Sequence, residues 1–373
     1  MKKPDVTGGR IVKTALLVAV MAVSIIAVAM VGGTEMLPGR IFWPVAVIFV
    51  LLSAVAGFGI LKFDIKQHKI RSILSIIGAV LLIVASVLAI GYSASINSLF
   101  DDIHEPDSGI VAEPSKMDQT FMLYISGVDT RTDEISNSSR SDVNIIIIVD
   151  PINHKILTVN TPRDYYLPLA TFGANDKLTH TGIYGVGESL KTIENLYDID
   201  IDYYARVNFN TLVSLVDIVG GVEVYSEQAF TTNKIDFVQG YNQLDGNKAL
   251  AFSRARKQFE GGDRVRGQHQ QLVIEAIFNK IVGPNTITKI NPILDILSKS
   301  VRTNMFSSDI RAFIRKQIDD GATWQFEHIS VDGAGGSDKT YSGGSQLLYV
   351  MYPDLNTVEV AKNKIAEYLD KTE

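Results

Sequence analysis

Residues 140–164 read RSDVNIIIIVDPINHKILTVNTPRD. The β-branched run Val143–Val149 predicts a buried strand, closed by Asp150-Pro151. Lys155–Val159 follows after a tight Asn-containing turn, so the two runs predict a hairpin. Upstream, Phe121–Ile125 reads as a strand ending at Ser126-Gly127. Downstream, Glu188–Tyr197 has helical spacing and Tyr203–Val207 reads as a strand. Thr211–Val219 reads as an apolar helix stopped by Gly220-Gly221, and Val222–Tyr225 as a short strand. Asp263 is placed to cap a helix running to about Ile281. Mixed strands and helices predict an α/β fold, a sandwich built on one sheet.

The chain before this domain is of another kind. Thr14–Gly33, Ile41–Leu61 and Ser72–Tyr92 carry no charge over 20, 21 and 21 residues. At about 1.5 Å rise per residue each covers a hydrocarbon core of roughly 30 Å. None has the polar face of a buried soluble helix, and three in succession do not fit a signal peptide. Three transmembrane helices are expected. Lys2, Lys3, Arg10 and Lys13 precede the first span, and Lys62, Lys66, Lys69 and Arg71 fill the second loop. The positive-inside rule therefore expects both segments in the cytoplasm and everything after Tyr92 outside the cell. Residues 1–92 hold nine Lys/Arg against three Asp/Glu, net +6, whereas residues 93–373 hold 26 against 38, net −12. The expected division is an anchor over 1–92, a Pro- and acid-containing linker over 93–117 and a soluble domain over 118–373.

The chain has no cysteine, which excludes disulfides, thiolate metal sites and a Cys nucleophile. None of the six histidines forms an HExxH-like pair, and there is neither a GxSxG elbow nor a GxxxxGK[ST] loop. Arginine is the informative residue. Seven of the eleven in the outer part fall in Asp129-Thr130-Arg131, Arg140-Ser141-Asp142, Pro162-Arg163-Asp164 and Ser253–Arg266. One Arg–Asp pair is a surface ion pair worth ~0–1 kcal/mol. Four such segments in an acidic domain point instead to a shared site. Guanidinium groups grip phosphate oxygens bidentately, and neighbouring carboxylates suit a hard cation such as Mg²⁺. Together they suggest a metal-bound pyrophosphate. In a strand, Arg254 and Arg256 would enter one pocket; in a helix they would diverge by about 200°. Asp263 caps its helix or acts on a substrate.

These stretches resemble the LytR-CpsA-Psr family of bacterial cell-envelope proteins. The resemblance rests on GVDTR (127–131), RSDVNIIIIVDP (140–151), TVNTPRD (158–164), VNFNTLVSLVDIVGGVEV (207–224) and LDGNKALAFSRARKQFEGGDRVRGQHQQLV (244–273). It covers a motif core over 118–281, with weaker similarity beyond. The three-helix anchor resembles members from capsule loci, without the accessory domain many of those carry. The resemblance implies an α/β sandwich with a mixed sheet. It also implies an enzyme that transfers a glycopolymer, such as a capsule or teichoic acid, from undecaprenyl pyrophosphate to peptidoglycan, with the polyprenyl tail in an apolar cleft. By it, Asp129 and Asp142 would hold Mg²⁺, with Mn²⁺ the alternative ion. Arg140, Arg163, Arg254 and Arg256 would clamp the pyrophosphate, with Arg131 near them. Asp263, Arg266 and Gln270 fall on the family's downstream active-site motif, Asp263 being the candidate base. Some members carry a second Arg where this chain has Leu167, so the contact it makes is either missing here or supplied by Lys177. Other readings are a pyrophosphatase with water as acceptor and a non-catalytic lipid- or polymer-binding envelope protein. A transcriptional regulator is disfavoured, because a net charge of −12 opposes DNA phosphate.

Overall fold

The computed structural model describes residues 6–64, 67–103, 119–128, 138–283 and 290–370. Contacts divide the chain into two units, Met1–Ser98 with Arg311–Asp320, and Leu99–Ile310 with Gly321–Glu373.

The first unit holds three long helices, α1 (Val6–Gly33), α2 (Gly39–Lys62) and α3 (Lys69–Ile103), each long and apolar enough to cross a membrane. Val18, Ile26, Leu51, Val55, Leu81 and Leu88 are exposed, as lipid-facing side chains would be. Three serines turn inward: Ser24 Oγ lies 2.8 Å from Ser53 Oγ and 3.4 Å from Ser86 Oγ, joining all three helices by hydroxyl contacts where no water would compete. The third helix outruns its expected end at Tyr92. Ile96 and Phe100, one turn apart and both buried, continue helical spacing into the segment expected to be linker. The rest of that segment, 104–117, lies outside the described residues.

The second unit is built on a six-stranded mixed sheet. Its strands are β1 (Phe121–Val128), β2 (Ser141–Asp150), β3 (Lys155–Asn160), β6 (Tyr203–Asn208), β11 (Val301–Thr303) and β12 (Gln325–Ser330), in the order β11-β6-β1-β2-β3-β12. The expected hairpin is β2–β3, antiparallel with Ile147 opposite Thr158. β1 runs antiparallel to β2 and parallel to β6, and β3 runs parallel to β12. Short pairs lie outside this sheet: β4 (Tyr166–Pro168) with β5 (Asn175–Lys177), β7 (Val222–Ser226) with β10 (Gly240–Leu244), β8 (Phe230–Thr232) with β9 (Ile235–Phe237), and β13 (Gly333–Lys339) with β14 (Leu347–Pro353).

Both faces of the sheet are covered, which is why Ile145–Val149 of β2 is a continuous apolar run instead of an alternating one. On one side Ile146, Ile148 and Leu157 share a core with Ile193 and Tyr197 of α5 (Val186–Tyr197) and Val358 and Ile365 of α11 (Leu355–Asp370). The short α4 (Leu178–Thr181) precedes α5 and contributes Leu178 to this core. A second core joins α6 (Phe209–Val219), α7 (Gly246–Arg254), α8 (Gly262–Ile281) and α9 (Ile290–Ser300) through Val216, Phe252, Val273, Ile277 and Ile293. A further helix, α10, covers Ser307–Asp320. The result is an α/β sandwich with a mixed central sheet, as expected.

Candidate active site

The site lies where β1, β3 and β6 end, the carboxyl edge at which open α/β sheets bind ligands. Pro162-Arg163-Asp164 follows β3, Phe209 follows β6, and Asp142 opens β2 beside the end of β1. α8 closes the site from above. It lies so near β3 that a Cβ on Gly267 would stand 1.9 Å from the Asn160 amide, so only glycine allows this approach. That contact sets Arg266 and Gln270, on either side of Gly267, against the Arg163 segment.

A pocket of about 240 Å³ is lined by Asp142, Arg163, Phe209, Arg254, Arg256, Arg266 and Gln270. Four guanidinium-bearing residues from three separate segments thus meet at one cavity. Arg163 Nη1 donates to Asp142 Oδ1 at 2.6 Å, and Thr179 Oγ1 donates to the same oxygen at 3.2 Å. Arg163 Nε stands 3.7 Å from Asp164 Oδ2. Arg266 Nη2 donates to Asp263 Oδ2 at 3.0 Å. The Arg254 guanidinium lies 4.1 Å from the centroid of the Phe209 ring, a cation–π seat that holds the fork at the pocket wall. Gln270 Nε2 is 3.3 Å from Ser253 O, which ties α8 to the end of α7.

The field inside this pocket calls for an anion. Burial depresses the Arg266 guanidinium below its ordinary range, and the charges of Arg163 and Arg256 add to this against Asp263 and Asp142. Burial works on Arg163 in the same sense, but Asp142, Asp164 and Asp263 outweigh it and hold Arg163 above its ordinary value. Nε of Arg163 and Nε of Arg266 are buried and make no hydrogen bond among the described residues. Buried N–H donors without acceptors are costly, and phosphate oxygens would satisfy them.

Several expectations are resolved by this geometry. Asp142, Arg163, Arg254, Arg256, Arg266 and Gln270 line this one pocket. Arg140 does not line the pocket and is exposed, with Gly182 packed against its backbone. Asp129 and Arg131 lie outside the described residues. Lys177 does not line the pocket either; it pairs with Asp164 at 3.0 Å, one residue from Arg163. Leu167 is buried in the sheet core, a place that could not hold an arginine.

Neither of the two local geometries considered for Arg254 and Arg256 is found. α7 ends at Arg254 and Ala255 turns extended (φ −64°, ψ 126°), so the helix break itself brings both residues to one cavity. Asp263 is not the helix cap. Gly261 takes that place with φ 80°, and Asp263 sits in the first turn, paired with Arg266. Sequence reasoning missed Phe209 and Thr179. Phe209 stands within the VNFN stretch, but only contact with Arg254, 45 positions away, reveals its part.

A cation would find a partial cradle here. Among the described residues no three His, Asp or Glu side chains assemble as a ligand group. Both hydrogen bonds that Asp142 accepts among the described residues fall on Oδ1, so Oδ2 could meet a cation. One carboxylate together with phosphate oxygens and water is a donor set that suits Mg²⁺.

The fold is an α/β domain with an arginine-lined pocket, preceded by three helices long and apolar enough to cross a membrane. The chain belongs to the LytR_cpsA_psr family, whose model matches residues 91–364. It is 28 % identical over 314 residues to the polyisoprenyl-teichoic acid–peptidoglycan teichoic acid transferase TagU of Bacillus mycoides, covering 82 % of this chain and 99 % of that one. It is 31 % identical to the protein of the same name from Oceanobacillus iheyensis, over 72 % of this chain and 88 % of that one. Among solved structures, B. subtilis TagV superposes with a TM-score of 0.56 at 27 % identity, over 68 % of this chain and 98 % of that chain.

Proposed function

We propose that this chain is a membrane-anchored transferase that moves an anionic glycopolymer from a polyprenyl-pyrophosphate carrier to peptidoglycan, with teichoic acid the first polymer to test. The observation that carries this reading is the convergence of Arg163, Arg254, Arg256 and Arg266 on one pocket that contains buried, unsatisfied guanidinium N–H groups. The transferase names of the relatives support it. A tethered enzyme also suits a donor confined to a bilayer.

The chemistry follows from the groups present. A sugar hydroxyl of peptidoglycan attacks the polymer-side phosphorus. The bond to the bridging oxygen breaks, and polyprenyl phosphate leaves with the electron pair. Charge grows on that leaving group and on the equatorial oxygens, where the four guanidinium groups stabilise it. The hydroxyl proton passes to Asp263, whose Oδ1 is left available because Arg266 holds Oδ2. Mg²⁺, held by Asp142 and by Asp129 beyond the end of β1, would neutralise pyrophosphate charge; Mn²⁺ offers the same coordination. The Lys/Arg-rich N-terminus and Lys62–Arg71 are assigned to the cytoplasm and the α/β domain to the cell exterior.

The test is direct. Purified full-length protein receives a lipid-linked polymer with or without peptidoglycan. Polymer-bearing peptidoglycan and free polyprenyl phosphate should appear only when the acceptor is present. Equal release of polyprenyl phosphate without acceptor, with the polymer phosphate set free in water, would identify a pyrophosphatase and overturn the transferase reading.

A further inference from the structure

The hairpin β13–β14 is built in an unusual way. β13 reads GAGGSDK, with three glycines among its first four residues, and offers the strand almost no side chain to pack. Tyrosines of β14 fill the space instead. A Cβ on Gly335 would stand 3.0 Å from Tyr349 Oη and 3.1 Å from Cε2, and one on Gly336 would stand 2.5 Å from Tyr352 Cε2. Strand alternation sends these rings to opposite faces. Tyr352 is fully engaged: its hydroxyl donates to Asp338 Oδ2 at 2.9 Å and its ring meets Tyr166 edge-on at 5.9 Å. Tyr349 is different. It is 52 % exposed, and its hydroxyl makes no hydrogen bond among the described residues. Leu347, two residues before it on the same face, is 67 % exposed, and Ser337 lies directly opposite Tyr349.

This face is attached to the arginine pocket. Met351 N donates to Asp164 O at 2.7 Å, and Tyr165 pairs with Met351 as an isolated bridge. Lys177 Nζ lies 5.9 Å from the Tyr349 ring centroid and 3.0 Å from Asp164 Oδ1, and Asp164 in turn neighbours Arg163. Burial and the charges of Asp164 and Asp263 raise the Tyr349 phenol above its ordinary value, in keeping with a ring at the pocket's carboxylate side.

We propose that the Tyr349 face of this hairpin, edged by Lys177 and Ser337, is the subsite that seats a pyranose ring of the peptidoglycan glycan strand, the acceptor in the proposed reaction. The inference rests on that reaction. Gly335 leaves room for the hydroxyl end of the Tyr349 ring, which stays half-exposed with Lys177 Nζ over it. The weakly positive C–H face of a sugar stacks on such a ring, while its hydroxyls reach Tyr349 Oη, Lys177 Nζ and Ser337 Oγ. Charge selects the acceptor over the donor. Asp164 and Asp263 repel a phosphate-rich polymer, and Asp164 already neutralises Lys177. The attacking hydroxyl must also reach Asp263, whose charge acts on the Tyr349 phenol.

The test uses full-length protein in nanodiscs, a lipid-linked polymer donor and peptidoglycan glycan strands, with KM measured for each substrate. Tyr349→Ala should raise the acceptor KM roughly five- to tenfold and leave the donor KM in place. Tyr349→Trp, which keeps a flat ring, should hold the acceptor KM within about twofold. An unchanged acceptor KM in Tyr349→Ala would overturn the subsite, and so would a rise confined to the donor KM. Titration with a soluble tetrasaccharide of alternating N-acetylglucosamine and N-acetylmuramic acid separates the two readings. If the wild type transfers nothing, the proposed reaction fails; tetrasaccharide binding that weakens in Tyr349→Ala would still uphold a glycan subsite, and equal binding would remove it.

Discussion

Arg163 and Asp142 are joined by a 2.6 Å hydrogen bond across the hairpin β2–β3, from the loop after one strand to the start of the other. The bond sits between the two chemistries proposed for the pocket. Asp142 is the carboxylate placed for a cation, and Arg163 is one of four groups placed for phosphate. The Arg163 and Thr179 bonds both fall on Oδ1, so the ion pair fixes the Asp142 carboxylate at the pocket without occupying Oδ2.

That relationship predicts different defects for the two variants. Asp142→Ala should raise the Mg²⁺ concentration needed for half-maximal transfer, and added Mg²⁺ should recover only part of the rate. Arg163→Ala should lower transfer at saturating Mg²⁺ by at least tenfold, since a hydrogen bond to a charged group is worth roughly 1.5–3 kcal/mol. Transfer measured across a Mg²⁺ titration decides this. Identical Mg²⁺ curves for Asp142→Ala and the wild type would remove Asp142 as a ligand.

Arg254 tests the phosphate clamp with little risk to the fold. It is exposed at the end of α7, so Arg254→Ala should leave the melting temperature within a few degrees and cut transfer at least tenfold. Arg254→Lys should recover only part of the loss, because an ammonium cannot reproduce the planar fork. Phe209→Leu removes the ring beneath the guanidinium and should cost a smaller factor, about two- to fivefold, corresponding to ~0.5–1 kcal/mol. Wild-type transfer by Arg254→Ala would show that its place in the pocket is incidental. An equally large loss of stability would show a structural role.

The legibility of this fold follows physical lines. The β2–β3 hairpin and α6 were readable because β-branched runs and the Gly220-Gly221 stop act locally. The convergence of Asp142, Arg163, Arg254, Arg256 and Arg266 was readable because those residue types share one chemistry. The start of α8 differs from the expectation because Asp263 resembles a cap, whereas Gly261 can take φ 80° and does so two residues earlier. β13 was invisible, since GAGGSDK has no strand propensity of its own and pairs only because Tyr349 and Tyr352 cover it. Phe209 was unreadable for a similar reason: its partner is distant in sequence.

The orientation of the anchor can be checked on intact cells. The basic segments before the first span and between the second and third predict that external protease on spheroplasts removes the α/β domain and leaves the Lys62–Arg71 loop uncut. Complete protection of the domain would reverse the assignment and remove the enzyme from its acceptor.

His269 supplies a prediction about pH. It lies in α8 beside Gln270, stacked 4.1 Å from the Phe252 ring and 5.6 Å from Phe230, with Nδ1 3.1 Å from Phe252 O. Burial among these rings, only partly opposed by that carbonyl, pushes its pKa down from 6.5 to about 4. The unfolded chain therefore binds a proton that the folded chain rejects. The stabilisation is complete above about 6.5, declines as the pH falls from there towards about 4, and changes no further below that. Its upper bound is ~3 kcal/mol from the linkage relation. Protonation should loosen α8 first, and α8 carries Arg266 and Gln270, so transfer should fall over the same interval. Thermal melts and transfer rates of the full-length protein between pH 7 and 4 test both. His269→Phe keeps the stacking and removes the titration, so its melting temperature should fall less than that of the wild type on acidification, even if loss of the Nδ1 hydrogen bond lowers it at pH 7. Parallel curves for the two proteins would show that His269 does not set the acid limit, and the carboxylate–guanidinium pairs of the pocket would then be the groups to titrate next.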